Sequence, residues 1–443
     1  MTRVRIAIVG GGFSGAALAI HLAQRSGAPP TILVDKSGRF GRGLAYDAAD
    51  RAYLLNVRAS NMSLFPDRPD HFAQWLARRG GKPADFASRR RYGDYVEDAL
   101  RRAAQHPGVS IERRHAAAVS CVRQKDGWLL SLSDGRAMSA EAVVLALGNA
   151  SPAAPEFWSG ADIPLLDPWD IESMRRMPRG DVLLLGTGLT AVDVLLTLAR
   201  RRGGGVIYAL SRRGQLPRAH LKGHAPPAPR ALDLPLALSE ALLAMRTEVD
   251  AMVALNEPWQ HAIDRLRART PELWRRLPPE AQQRFLRHLR PWWDAHRHRM
   301  APQIAAQVEK LQSNRRLSVI AGEVVSAERH GHAISVQYRL RGSRSRDRLN
   351  DIVGVVNCTG AAMDFSSTAD PLVRQLLHDG LARAHESGLG FAVDDDGRLI
   401  GASGVPHDSL YALGPITQGA FWESTAVPEI RMRATALAAL LAP

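Results

Sequence analysis

A strand, a glycine turn and a helix occur in that order twice in this chain, and few folds accommodate both copies. In the first, Arg3 to Val9 reads as a buried strand, followed by Gly10-x-Gly12-x-x-Gly15 and an Ala/Leu-rich helix through Leu22. Gly10 suits the tight turn, Gly12 lets backbone approach a pyrophosphate, and Gly15 lets the helix pack close to the sheet. The helix N-terminus, with Phe13 and Ser14 in its first turn, is ready to receive phosphate. Asp35 ends the next strand, twenty positions after Gly15, where an acid accepts hydrogen bonds from ribose hydroxyls, and Lys36 follows it. The alternative is a tight strand-to-helix turn in some other doubly wound sheet.

The second copy opens with the strand Asp181 to Leu185, then Gly186-x-Gly188-x-x-Ala191, with Leu189 and Thr190 opening the helix, then the strand Val206 to Leu210. Where the first copy has an acid, this one has Ser211-Arg212-Arg213. Arginine there suits a ribose 2′-phosphate through a forked contact, so NADPH is favoured over NADH. The competing reading is a pair of solvated arginines in an arginine-rich protein. Two different dinucleotide cradles imply a flavin, FAD, meeting a nicotinamide. Two further apolar strands end in glycine turns, Ala142 to Gly148 and Ile352 to Gly360, where the chain is expected to cross between domains. Leu410 to Gly414 and a helix from about Ala426 read as the closing flavin segment.

The expected fold is therefore α/β: two Rossmann-like three-layer dinucleotide-binding domains with a helical insertion. The expected division is 1–160 for the first part of the FAD domain and 161–230 for the first part of the NAD(P)H domain. A helical insertion follows at 231–317, NAD(P)H completion at 318–355 and FAD completion at 356–443. The length of 443 residues allows about three domains of about 150 residues each. The net charge of +14 rests almost wholly on arginine, with only five lysines, spread along the chain. Nucleic-acid binders cluster their charge, so anionic small molecules are the better partner and no nucleic acid is expected. Two cysteines, Cys121 and Cys358, exclude a CxxC redox pair, and no metal site is expected. No apolar run reaches the ~18 residues of a membrane span, and a cytoplasmic location is expected.

The motifs resemble the flavoprotein family that includes the FAD-dependent urate hydroxylases of the HpyO type and the aspartate N-hydroxylase CreE. The resemblance rests on Gly10 to Leu22, GRGLAY (Gly41 to Tyr46), LLNV (Leu54 to Val57), DPWD (Asp167 to Asp170), Leu183 to His220, WWDAHRHRM (Trp292 to Met300) and Leu413 to Arg431. It implies an FAD-dependent, NAD(P)H-using monooxygenase in which a C4a-hydroperoxyflavin delivers one oxygen of O₂ to substrate. The length favours urate, giving 5-hydroxyisourate. An amine or amino-acid N-hydroxylase, and a flavin-dependent reductase serving a partner protein, stay open. The FxGxxxHxxxW fingerprint is absent: Phe157-Trp158-Ser159-Gly160 and Asp167 to Asp170 stand in that region without its histidine, so Baeyer–Villiger chemistry is disfavoured.

Further residues are candidates for the cofactors. Arg42, before Gly43, is placed to meet FAD phosphate or an anionic substrate, Tyr46 to pack on the isoalloxazine, and Asn56 beside Val57 to hydrogen-bond the flavin. An ordinary loop and strand is the alternative. Within the insertion, Trp259, Trp274, Trp292 and Trp293 suggest a cover over the active site, ending in the cationic run His296-Arg297-His298-Arg299. Read as one helix, it places His296 and Arg299 on one face and Arg297 within reach of Asp294. It is either a solvated basic face or the contact for an anionic substrate, for which His296, Arg297, Arg299 and His220 are the candidates. The oligomeric state is not legible.

Overall fold

A computed structural model describes residues 2–47, 53–158, 163–201, 204–223, 234–365 and 368–443. The expected boundaries at 160/161 and 230/231, with Ser159, Gly160 and Ala231, lie outside the described residues.

The first glycine-motif strand, Thr2–Val9, is central in an eight-stranded sheet. Thr31–Asp35 and then Ile111–His115 lie on one side, all parallel. On the other side lie Ala137–Leu145 and Pro406–Ala412, also parallel, then Arg398–Ile400 antiparallel at the edge. Both faces are covered: Ile6, Ile8 and Leu33 enter one core, and Ala7, Val9, Ile32 and Val34 the other. That two-sided burial is why these strands read as apolar runs. The helix Phe13–Ala23 is buried on nearly every side between the sheet and the C-terminal helix Val427–Leu441.

The second sheet has six strands in the order Ala333–Leu340, Leu317–His330, Ile207–Ser211, Asp181–Leu185, Arg346–Asn357, Leu165–Leu166. Its glycine-motif strand, Asp181–Leu185, again lies between parallel neighbours. The strand Arg346–Asn357 crosses the expected 355/356 boundary. Between the second and third parallel strands of this sheet the chain is helical, with Leu238–Ala254, Gln260–Arg276, Arg290–Arg297 and Pro302–Ser313 the longer pieces. The last of these packs Ile304, Ala305 and Val308 into the core of the second sheet, so it belongs to that layer and the preceding helices form the cover.

Buried polar contacts join the two nucleotide units. Arg89 pairs with Asp193 at 2.9 Å, the Tyr53 hydroxyl shares a hydrogen bond of 2.6 Å with Thr197, and Arg58 donates to the Leu221 carbonyl at 2.7 Å. Arg89→Met removes the cation from a buried carboxylate and is expected to cost about 3 kcal/mol. An unchanged melting temperature for that variant contradicts the coupling.

Candidate active site between two glycine cradles

The two glycine turns are built alike. At Gly10 the backbone has φ +109°, and an added Cβ would lie 2.2 Å from the Ala146 carbonyl oxygen of the neighbouring strand. At Gly186 φ is +110°, and the same atom would lie 2.3 Å from the Cys358 carbonyl oxygen. In both places the strand from which the chain leaves for the other unit runs directly against the turn. Gly12 and Gly188, which precede the two helices, have room instead: the nearest atom to a Cβ at Gly12 is Gly43 Cα at 3.4 Å, and at Gly188 nothing lies within 4 Å. Space above an open helix N-terminus is what a pyrophosphate requires.

Asp35 accepts from the Gly11 N–H at 2.7 Å through one carboxylate oxygen and from Ser37 through the other. The oxygen that meets Gly11 keeps a lone pair for a ribose hydroxyl. Gly414, φ +86°, lies so close to Ser14 that a Cβ would sit 2.4 Å from its hydroxyl. The C-terminal segment therefore closes over the first cradle. Gly10, Gly12, Phe13, Ser14, Gly15, Asp35, Gly43 and Gly414 are thus brought to one place. Residues 7–150 match the FAD-NAD(P)-binding family model. The N-terminal third of this chain is thus similar to FAD-NAD(P)-binding domains.

Similarity to solved structures extends beyond that domain. The Kutzneria sp. 744 ornithine N-hydroxylase matches with a TM-score of 0.68 and 16% identity over 99% of each chain. The L-lysine 6-monooxygenase from Pseudomonas syringae gives 0.67 and 17%, again over 99% of each. The cadaverine monooxygenase from Erwinia amylovora gives 0.68 and 12%, over 99% of this chain and 94% of that one. At such identities what is shared is the fold. Among curated proteins, no sequence matches. The resemblance to the urate hydroxylase and N-hydroxylase flavoproteins thus holds for the FAD-binding domain and the architecture, and urate finds no support among these relatives.

Several candidates in the FAD-binding domain have other occupations. Arg42 donates to Asp94 at 2.6 Å and Glu97 at 2.7 Å, so its charge is already balanced by two carboxylates on one helix. Tyr46 packs edge-on against Phe13 and Tyr92, with centroids 6.1 and 4.7 Å away. The Lys36 side chain is exposed and its carbonyl accepts from His115. Asn56 is half-buried, not enclosed, and Val57 packs against the core beneath the first helix. Gly148 and Gly360 have φ of +71° and +104° and no close neighbours to exclude a side chain.

At the second cradle, Thr187 bonds Ser211 at 2.9 Å and the Gln215 carbonyl at 2.6 Å, tying the glycine turn to the next loop. Leu189 and Thr190 are half-buried at the helix start. Arg212 and Arg213 diverge. Arg213 donates to the His288 carbonyl and lies over the Trp292 ring, whereas Arg212 lines a cleft of about 310 Å³ with Arg339, Arg341 and Ser343. Arg339 is paired with Glu323 at 2.9 Å. Arg341, which the sequence analysis missed, lies on a hairpin far along the chain.

The cationic run behaves otherwise than expected. The helix ends at Arg297, so His296 and Arg299 do not share a helical face. Arg297, 6% exposed, pairs with Glu423, 4% exposed, at 2.9 Å, and Arg299 pairs with Asp264. Asp294 faces Arg290 and His298 in place of Arg297. Burial pushes both guanidiniums down from their ordinary value while their carboxylates hold the charge. Arg267 bonds both oxygens of Glu429 and, with Arg297–Glu423, fastens the cover to the C-terminal flavin segment, while Arg299–Asp264 ties the insertion to itself. Arg297 and Arg299, so engaged, are not available to an anionic substrate, and the cationic run is not the urate contact it was expected to be. His296 accepts no such partner; its Nδ1 bonds the Trp292 carbonyl and its ring meets Trp259 edge-on.

His220 lies where the units meet. Its Nε2–H donates to the Asn56 carbonyl at 2.8 Å, and its backbone N–H to Met300 at 2.9 Å. Burial, then the Arg299 guanidinium, lowers its pKa to about 4 from the ordinary 6.5. The folded form therefore stays neutral while the unfolded chain takes up a proton, so stability falls as pH drops from 6.5 toward 4. His220→Gln is expected to flatten the dependence of melting temperature on pH within that window; an unaltered slope contradicts it.

No described helix is long and apolar enough to cross a membrane, and among the described residues no cluster of His, Cys, Asp or Glu could hold a metal ion.

Proposed function

We propose that this oxidoreductase is an FAD-dependent, NAD(P)H-using monooxygenase that hydroxylates the nitrogen of a small-molecule amine with O₂. The observation that carries the reading is convergence. Met363, beyond the carboxyl end of Arg346–Asn357 in the second sheet, and Trp422, beyond the carboxyl end of Pro406–Ala412 in the first, pack in one cluster with Trp274 of the cover. The carboxyl ends of the two sheets thus face each other under one roof, and ligands of such sheets bind at those ends. The relatives that share this fold over nearly their whole length are described as ornithine, lysine and cadaverine monooxygenases, which favours an amine over urate.

FAD, when bound, supplies the hydride acceptor and the group that reacts with oxygen. The chain's own contribution is orientation and exclusion of water. The Gly10–Gly15 turn, Asp35 and the Gly414 segment would hold FAD; Gly186, Gly188, Leu189, Thr190 and Arg212 would hold NADPH, with Arg341 in the same cleft as Arg212 to supply a second cation. His220, neutral and locked by Asn56, is a positioning residue. The polar contacts across the domain interface hold the nicotinamide unit in one orientation. Cys121 and Cys358, buried as free thiols in different sheets, offer no dithiol relay, which disfavours a reductase of that kind.

The test is NADPH and O₂ consumption by the flavin-loaded protein, with hydroxylamine detection, against amines and urate. Expected is hydroxylamine formed from an amine and none of these changes with urate. Hydrogen peroxide as the sole product across all amines overturns the reading. Arg212→Ala is expected to raise KM for NADPH about tenfold and leave NADH unchanged, since one charge-assisted contact is worth about 1.5–3 kcal/mol. Equal loss with both cofactors contradicts the 2′-phosphate assignment.

A further inference from the structure

The cover encloses a cavity of about 670 Å³, within the range of drug-sized ligand sites. Its walls include Leu242, Leu266, Trp274, Trp292, Trp293 and Trp422. Trp422 comes from the segment that closes the FAD cradle, and Trp274 stacks on it with centroids 4.7 Å apart while donating to the Gly419 carbonyl at 2.7 Å. The cavity therefore abuts the flavin segment and extends into the cover. Its ionisable lining is Arg218, Arg246, Asp250 and His296, so among the lining residues Asp250 is the one carboxylate. Arg218 and Arg246 have exposed surface and no carboxylate partner among the described residues.

A chain with two ammonium groups fits this box poorly. Burying the second ammonium against indole and leucine costs several kcal/mol unless a carboxylate answers it, and the lining carries more positive than negative charge. A flat apolar body gains instead from stacking and from the area removed from water.

We propose that this cavity is the substrate pocket and that it selects an aromatic amino acid or a similar apolar amine bearing a carboxylate, its ring among the tryptophans and its carboxylate toward Arg218 and Arg246. The proposal rests on the monooxygenase reading above for the reaction, though not for binding. Calorimetry on the FAD-loaded protein with L-tryptophan, tryptamine, L-ornithine and cadaverine tests it. L-Tryptophan is expected to bind tightest, tryptamine about fivefold more weakly for want of one partly exposed ion pair, and the two dibasic compounds at least about tenfold more weakly than either. Leu266→Trp, and Ala241→Phe on the neighbouring helix as a second filling variant, are expected to abolish L-tryptophan binding while FAD content and anaerobic reduction by NADPH stay unchanged. Ornithine or cadaverine binding as tightly as L-tryptophan, or filled variants with undiminished affinity, overturns the assignment. If L-tryptophan binds as expected and no hydroxylamine forms, the pocket assignment stands and the amine-hydroxylation reading falls.

Discussion

Gly10→Ala is expected to emerge from purification without flavin and markedly less stable. The added Cβ would lie 2.2 Å from the Ala146 carbonyl oxygen, which belongs to the central sheet and has no side-chain rotamer with which to yield. The φ of +109° is itself a region that alanine occupies only under strain. Strain and overpacking together come to about 3 kcal/mol or more, and the loop that relieves them is the one that must hold the pyrophosphate. Gly186→Ala meets the same geometry against Cys358 in the other unit and provides the control. That variant is expected to keep FAD and lose reduction by NADPH. Flavin-to-protein ratio after desalting, and anaerobic flavin reduction, separate the two. A Gly10→Ala protein with a full complement of FAD would refute the assignment of the first cradle.

Glu423→Ala is expected to destabilise by about 3–5 kcal/mol, because it leaves the Arg297 guanidinium buried without its counter-charge. In a protein of this size such a loss lowers the melting temperature by roughly 3–5 °C. The double variant Arg297→Met/Glu423→Leu is expected to recover most of the loss, as apolar replacement of a buried pair often does. The same double variant tests whether Arg297 binds substrate: amine affinity is expected to survive it. A double variant as unstable as Glu423→Ala alone would mean that the pair holds geometry that packing cannot replace.

The two cradles were readable because each is local: strand, turn and helix lie within about 30 residues, and the steric demand of the turn selects glycine outright. The alternation of two dinucleotide units followed the same logic, since each return strand carries its own apolar run and terminal glycine. The cationic run Trp292 to Arg299 misled for a complementary reason. Neighbours in sequence suggested Asp294 as the partner of Arg297, whereas the partner is Glu423, 126 positions away, and the helix stops before Arg299. Arg42 misled likewise, because Asp94 and Glu97 arrive from a helix that local spacing does not foretell.

Chemistry follows the same division. That two nucleotides bind in this chain is written in short motifs whose geometry the backbone alone enforces. Which arginines are free to meet an anion, which tryptophans share a wall and how much room lies between them follow only from long-range packing. A charged side chain reads the same in sequence whether it faces water or a buried carboxylate, and only the folded chain brings Glu423 to Arg297, Asp264 to Arg299 and Trp422 to Trp274.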